Sequence, residues 1–569
     1  MKEFIDYLNT LHRVGGNNGN ATAEANSKTE YANDILVRDT ELIDEIRSCL
    51  EKNHRVLLTG YAGDGKTTLA LQIANKKSLK RIEKVDLGMN RPLVIIKDLS
   101  ELADEDKEDD FLFDLIMNPG INLLIVSNTG TIQKKLTNLY HKFNCSEEID
   151  EFDYKSNILR GIECFDDSDN GEILLNKDII IKTFNLVKRD NLKVAKSIFK
   201  KILTHADWDK ATDQEKKSIP FINRTLLMQD DFRALDRLFD IYRRIYEYGE
   251  RMTIRNLIEH FAYTLTGNFD SDSSFSKINP RYFFFENFFS KEAVNVSVTG
   301  AMLVDKPHFG YNINSDWKRR IWLGAGNDKY ILKFSDKWIS DLYENIVESS
   351  NRTIPAYESR LNLIRMIYFL NSSEADTWPE FECSFLNSPG FKYFKKIQDE
   401  KSLKIKEKSF ISRKVRHVVK EYFLGMKLPE SEDDNKDKSD VYIAMSRNIS
   451  SIKQTAQIIL NKFSWSSNSL GIFSDCRGLN QFIFNFSDGI KLEIPLPFLD
   501  YLLNCHLGVM DDPAFSSYRK RLDNLKDQIL SKSKKGDDAE MEIAFFDLKR
   551  NLSLIKYTLE DGKIVVMEQ

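Results

Sequence analysis

The sequence predicts a multidomain α/β chain: an N-terminal core of parallel strands flanked by helices, a helical lid, a mostly helical middle region and an α+β C-terminal domain. Three observations carry this reading. The 569 residues exceed what one hydrophobic core supports, so about three or four domains are expected. Residues Arg55–Lys77, RVLLTGYAGDGKTTLALQIANKK, pass from a short apolar strand through a glycine-rich turn into a helix. Further buried-strand runs follow at Leu93–Ile96, Leu123–Val126 and Ile179–Phe184, after which the patterning turns helical. The expected boundaries are 1–32 for a helix and linker, 33–190 for the core, 191–267 for the lid, 268–426 for the middle region and 427–569 for the C-terminal domain.

Composition narrows the function classes. The chain is 41% hydrophobic and 30% charged, with a formal net charge of −5. That mild acidity excludes a global nucleic-acid signature, so any basic footprint must be local. The six cysteines (Cys49, Cys145, Cys164, Cys383, Cys476, Cys505) form no C-x-x-C pair. Their scatter excludes a disulfide framework and a zinc ribbon, and a reducing cytoplasm is the simplest home. No apolar run approaches the roughly 20 residues that span a bilayer, so no membrane partner is expected. MKEFIDYLNTLHRV reads as a short amphipathic helix rather than a signal peptide. Gly15–Lys28, rich in Gly, Asn and Ala, reads as a flexible linker.

The turn from Gly60 to Thr67 spells G-x-x-x-x-G-K-T, the phosphate-binding P-loop, in the strand–loop–helix setting that motif requires. Gly60, Gly63 and Gly65 let successive N–H groups converge on the positive end of the following helix, where phosphate oxygens collect. Lys66 is placed to reach the β/γ-phosphates and the Thr67 hydroxyl to ligate Mg²⁺. Asp64 and Thr68 belong to the same nucleotide-binding stretch. ATP and Mg²⁺ are the expected ligand and cofactor.

The elements around the loop follow in order. NDILVRDTELIDEIRSCLEKN places Leu42, Ile43, Ile46 and Leu50 on one helix face, capped by Asp39 or Thr40. KRIEKVDL reads as a second strand, and Leu93–Ile96 as a buried one ending at Lys97-Asp98. An acid at the C-terminal end of a core strand is where Mg²⁺ and water are handled, so Asp98 is the candidate metal ligand. A helix cap for the segment at Ser100 is the alternative. ELADEDKEDD reads as a solvated acidic loop before a helix over Asp110–Met117. Asn128 stands at the tip of the Leu123–Val126 strand, where a turn-former before Gly130 is one reading. In the lid, MTIRNLIEHFAYTLTGN reads as a helix capped at Thr253 and ended near Gly267. His205 and Asp207 read as loop residues rather than as a metal site.

The run Ile35-Leu36-Val37-Arg38, the short helix after it and the P-loop strand resemble AAA+ and STAND-like signalling ATPases, over roughly residues 33–265. The resemblance implies that Val37 lies beside the adenine and that Asp98 is the Walker B aspartate. It implies a γ-phosphate sensor at Asn128 and, within QDDFRALDRLFDIYRRIYEYGER, a second-sensor arginine at Arg233. Arg233 on a solvated helix face is the alternative. Where the family has a glutamate directly after the aspartate this chain has Leu99, which leaves hydrolysis resting on Glu101. A neighbour's arginine finger would make the protein a homo-oligomer, but no residue is assigned to that role. More narrowly, the layout is similar to ATPase subunits of bacterial defence and restriction systems, phosphorothioation-dependent restriction ATPases among them. That implies a DNA substrate and a hetero-complex with a nuclease- or helicase-type effector.

The second half carries less chemistry. PRYFFFENFF with Trp317, Trp322 and Trp338 reads as core or buried interface, with base stacking as the alternative. Lys392–Lys420 holds eleven Lys/Arg against three Asp/Glu, interleaved with Phe391, Tyr393, Phe394 and Phe410. It is either a solvated helix face or a nucleic-acid footprint. Glu430–Asp440 reads as a linker. Phe482, Phe484 and Phe486 against Ile490, Leu492 and Ile494 predict a hairpin, and a second hairpin is expected around Asp561-Gly562. Helices are expected over Leu496–Leu507 and Pro513–Ser531. Two functions remain: a motor or switch ATPase acting on DNA in an antiviral defence complex, and a nucleotide-gated signalling or assembly module with slow or no turnover.

Overall fold

A computed structural model describes residues 1–12, 30–36, 39–101, 106–143, 150–163, 170–176, 179–249, 251–267, 283–290, 365–371, 378–400, 403–424, 440–447, 457–474, 480–486, 489–505, 515–532, 540–546, 552–560 and 563–568. The Gly15–Lys28 linker, Val37, the three middle-region tryptophans and nearly all of Glu430–Asp440 lie outside the described residues. The chain divides into two compact units. One comprises Met1–Trp378 with Cys476–Gly478, the other Pro379–Asp475 with Leu479–Gln569.

The first unit is built on a six-stranded sheet. Its strands are β1 (Arg55–Thr59), β2 (Ile82–Val85), β3 (Leu93–Ile96), β4 (Asn122–Ser127), β5 (Asn170–Asn176) and β6 (Ile179–Asn185), in the order β2-β3-β4-β1-β6-β5. The four central strands are parallel, and the edge strands β2 and β5 run antiparallel to their neighbours. Strand side chains alternate between faces, so the continuous apolar runs feed two cores. Leu57, Ile96, Leu123, Ile125 and Ile181 point to one. Val56, Leu58, Ile95, Leu124 and Phe184 point to the other.

Helices close both faces. α1 (Lys2–His12) and α2 (Glu30–Ile35) precede the sheet, and α3 (Thr40–Asn53) buries Leu42, Ile43, Ile46 and Leu50 against the second core. Asp39 caps α3, accepting from the Leu42 amide. α4 (Lys66–Ala74) covers the same face. α5 (Asp106–Met117), α6 (Thr129–Asn138) and α7 (Glu151–Glu163) cover the first. α5 begins at Asp106, so the second half of the expected acidic loop is its first turn, where the helix dipole favours acidic side chains. One of them, Asp109, accepts from the buried Lys135 Nζ at 2.9 Å.

Three further helices form the lid. α8 (Asn191–Leu203) is capped by Asp190, which accepts from the Leu192 amide. α9 (Ile219–Glu247) is broken at Gln229–Phe232, where the backbone leaves helical geometry. α10 (Ile254–Thr266) is capped by Thr253 and closed by Gly267 in the left-handed conformation. Phe199 and Phe261 stack at 3.8 Å between α8 and α10. Five phenylalanines of the aromatic run (Phe283, Phe284, Phe285, Phe288 and Phe289) are buried.

The second unit contains α11 (Phe391–Glu400), α12 (Ile405–Leu424), α13 (Leu496–Cys505), α14 (Phe515–Lys532) and two antiparallel sheets. One sheet has the order β10-β9-β8-β7, from β7 (Asp440–Arg447), β8 (Gln457–Ser474), β9 (Asn480–Phe486) and β10 (Lys491–Pro495). The other is β11 (Glu540–Phe546), β12 (Leu552–Glu560) and β13 (Lys563–Glu568). The β9–β10 hairpin pairs Phe482 with Ile494 and Phe484 with Leu492, all four buried. Asp500 on α13 is buried and accepts from the Ser388 hydroxyl and from the Gly390 amide.

One buried group in the lid ties stability to pH. His260 receives the Tyr242 hydroxyl on Nδ1 at 2.5 Å and donates from Nε2 to the Phe288 carbonyl at 3.1 Å. A carbonyl can only accept, which sets the neutral Nε2–H tautomer. Burial pushes the ring's pKa down to about 4. Between its unfolded value near 6.5 and 4 only the unfolded chain takes up this proton, so stability falls as pH drops through that window and is level above it. The expected loss is on the order of 2–3 kcal/mol. Urea unfolding at pH 7 and pH 5 should show it in the wild type. A His260→Gln variant, less stable at pH 7, should lose much less on acidification.

Candidate functional site

Parallel pairing brings the loop and its partners to one sheet edge. Thr59 of β1 is in register with Ser127 of β4, and Ile96 of β3 with Ile125. The chain therefore leaves β1, β3 and β4 at the same C-terminal edge, the position where open α/β sheets hold ligands. Gly60–Gly65, Asp98 and Asn128 all start there. A cavity of about 890 Å³ opens beside them, lined by Gly63, Gly65, Lys66, Thr67 and Thr68, by Asp98, Glu101 and Asn128, and by Arg255 and Glu259 of the lid.

The loop's shape depends on two glycines. Gly65 stands at the N-cap of α4 with φ +86°, and Gly63 has φ +92°. A Cβ on Gly63 would meet Thr253 Oγ1 at 2.8 Å, so the lid backs directly onto the loop. The Arg255 amide donates to the Gly63 carbonyl at 3.2 Å.

Lys66 Nζ donates to the carbonyls of Gly60 (3.0 Å) and Tyr61 (2.8 Å) and to Asn128 Oδ1 (2.9 Å). Burial lowers its pKa, opposed by Asp64 and Asp98, with Arg255 adding to the depression. Asn128 occupies the N-cap of α6 without capping it, so its side chain is committed to Lys66. Asp98 does two things: Oδ1 accepts from the Ser100 amide (2.9 Å) and hydroxyl (2.7 Å), and the residue lines the cavity. Glu101 lies in the same wall and pairs with Lys97 at 3.5 Å.

Thr67 and Asp98 offer one hydroxyl and one carboxylate to the cavity. That sparse set suits Mg²⁺, which keeps several waters and takes its remaining ligands from phosphate. Among the described residues no group of three or more His, Cys, Asp or Glu could hold a metal by itself.

Three residues expected at the site do not line the cavity. The Asp64 carboxylate is fully buried and faces the protein: Oδ2 accepts from the Tyr61 amide and from Arg251, each at 2.9 Å, and Oδ1 from Asn191 at 3.2 Å. Gly60, like Asp64, contributes to the loop but not to the cavity lining. Arg233 pairs with Asp230 at 3.1 Å and donates to the Asn371 carbonyl at 3.3 Å, and it does not line the cavity.

Among the described residues, the arginine that lines the cavity is Arg255, in the first turn of α10. Its position carried a signal: a cation at a helix N-terminus opposes the dipole and calls for another reason to be there. One turn on, Glu259 also lines the cavity, and burial raises its carboxyl to about 7 against the pull of Arg255.

Residues 38–119 match the family model described as Novel STAND NTPase 3. The chain thus carries a STAND-type NTPase domain, and the match runs from α3 through the P-loop and Asp98 to the end of α5. No curated protein and no solved structure matches the chain. Among the described residues no helix is long and apolar enough to cross a membrane.

The Asp64–Arg251 pair yields a prediction. Arg251→Ala leaves a buried carboxylate without its cation, a loss of about 3–5 kcal/mol. Chemical denaturation should report it. The double variant Asp64→Asn/Arg251→Met should cost clearly less than the sum of the two single changes; strict additivity would refute the coupling.

Proposed function

We propose that this STAND-type NTPase domain is a nucleotide-gated switch, whose P-loop and helical lid hold ATP as one joined unit and whose turnover is slow or absent. The observation that supports this most is the direct joining of loop and lid. Asp64 bonds to Arg251, the Gly63 carbonyl accepts from the Arg255 amide, and Thr253 abuts Gly63. Phosphates in the loop would therefore contact core and lid at once.

Each residue has a part in this reading. The loop amides and the α4 N-terminus hold phosphate oxygens. Lys66, released from its three oxygen partners, offsets the β/γ charge, and Arg255 brings a second cation from the lid. Asn128 senses the terminal phosphate. Thr67 and Asp98 hold Mg²⁺, which neutralises phosphate charge when bound. Thr68 lines the cavity beside them. Glu101 is the residue left to orient water, yet it stands three positions beyond Asp98 and is tied to Lys97. That placement favours holding a conformation over rapid cleavage.

A second reading, a motor working on DNA in a defence or restriction complex with a nuclease- or helicase-type partner, draws on one observation. Lys404, Lys406 and Lys408 are exposed at the start of α12. Neighbouring features weigh against it. Lys395 pairs with Glu382 at 2.8 Å, Lys396 pairs with Glu407, and Phe391, Tyr393 and Phe394 are buried.

Lys66→Ala should abolish tight ATP binding, and Thr67→Ala should make binding insensitive to Mg²⁺, both read by calorimetric titration. ATP affinity unchanged in Lys66→Ala would falsify the site. ATP-dependent oligomerisation without stimulation by DNA would support the switch, measured as mass and phosphate release with and without DNA. For the second reading, reversing Lys404, Lys406, Lys408 and Arg413 to Glu should weaken nucleic-acid binding and flatten its log–log salt slope by about 0.9 per lost contact. Binding that is indifferent to the four reversals leaves α12 a solvated face.

A further inference from the structure

The cavity extends past the P-loop to a wall made by α1. Tyr7 and Leu11 line it, with Ala32, Ile35 and Leu36 from the α2 segment and Ile258 from α10. α10 shows which end this is. At its start, the Arg255 amide bonds Gly63, and the Ile254 side chain lies 3.7 Å from where a Cβ on Gly65 would stand. Near its far end, the Thr266 hydroxyl meets His12 Nε2 at 3.1 Å, and the Tyr263 ring meets His12 edge-on. From Ile254 to Tyr263 the axis rises about 13 Å, at ~1.5 Å per residue. α1 thus stands at the end remote from the phosphate loop, where the base of a nucleotide seated in the loop would reach.

α1 is fixed there by specific contacts. Phe4 stacks on His205 with ring centroids 4.2 Å apart and meets Trp208 edge-on at 5.8 Å. Tyr7 packs against Tyr31 at 5.3 Å, and the Tyr31 hydroxyl donates to Asp207 at 2.8 Å. Tyr7 and Leu11 keep 7% exposure each, and both line the cavity. The wall is apolar with a polar margin: Glu259 lines the same cavity, and Lys201 donates to the Leu36 carbonyl at 2.7 Å. A flat aromatic heterocycle edged by donors and acceptors is the chemistry such a surface takes.

We propose that Tyr7 and Leu11 form the nucleobase wall of the site, so that base binding and the seating of α1 are coupled. The proposal rests on the nucleotide reading of the P-loop. Linkage then requires reciprocity: a seated α1 tightens the nucleotide, and the nucleotide holds α1 in place by the same factor.

Tests use the full chain, titrated with Mg–ATP and separately with inorganic tripolyphosphate, which has the phosphates and no base. Tyr7→Ala/Leu11→Ala should weaken ATP about tenfold or more while tripolyphosphate binds as before. Unchanged tripolyphosphate affinity also shows that the variant is folded. Tyr7→Phe, which keeps the ring, should bind ATP like the wild type. Equal ATP affinity in the double variant overturns the proposal. So does a parallel loss of both ligands, which would make α1 a support for the whole lid. Wild-type protein that binds neither ligand overturns the P-loop reading itself, and the base wall with it. Hydrogen exchange supplies an independent readout: ATP, but not tripolyphosphate, should slow the amides of Lys2–His12. An unaltered rate in α1 rejects the coupling.

Discussion

A single buried carboxylate organises the functional half of the molecule. Asp64 sits inside the glycine-rich turn with no exposure of its side chain, and it joins the Tyr61 amide, Asn191 of α8 and Arg251 before α10. Arg251 extends the connection to the Leu186 carbonyl just past β6 and lies over the Tyr61 ring at 5.5 Å. Loop, sheet and lid therefore meet at one charge. An ion taken out of water this completely is tolerable only while all its partners are in place, so the contact is cooperative by construction. Bending the lid away from the loop would expose it or strand it, either at a cost comparable with the marginal stability of a domain.

What could be read from the residues follows the range of the interactions concerned. The P-loop was legible because its function lies in backbone geometry, and spacing encodes that geometry within eight residues. The β9–β10 hairpin was legible for a similar reason, since alternation of Phe482, Phe484 and Phe486 encodes a face locally. β5 escaped notice because NGEILLN is short and gains its place only by pairing antiparallel with β6. α7 escaped because Tyr154, Ile158 and Ile162 supply just one buried side chain per turn, a narrow stripe. Arg255 and Glu259 lay on a helix whose limits were plain, but which of its faces meets the loop is a tertiary fact. The basic stretch shows the reverse difficulty. Its aromatics suggested a stacking platform, and the fold spends them on its own core, as in the edge-on contact of Phe394 with Phe482.

The lid's interior supports the site in a less visible way. Arg237 reaches from α9 to the carbonyls of Tyr368 and Asn371, both at 2.8 Å, and stacks over Trp378 at 4.0 Å. Asn223 links the same helix to the Leu265 carbonyl and the Phe284 amide. Asn223 ties the first part of α9 to α10, and Arg237 ties the part after the break to the Tyr368–Asn371 segment, with directional bonds where apolar packing alone would tolerate sliding.

The seating of α1 also bears on how the chain is made. Its docking partner Thr266 lies 254 residues further on. At ribosomal rates of about 5–20 residues per second, on the order of tens of seconds separate the appearance of α1 from that of the surface that receives it. Throughout that interval Phe4, Ile5, Tyr7, Leu8 and Leu11, all buried in the finished fold, have only part of their native cover, from Tyr31 early and from His205 and Trp208 late. In newly synthesised chains the apolar face of this amphipathic helix therefore stays incompletely covered until α10 is made. A fusion partner or tag placed close to α1 acts on this assembly step as well as on the finished site.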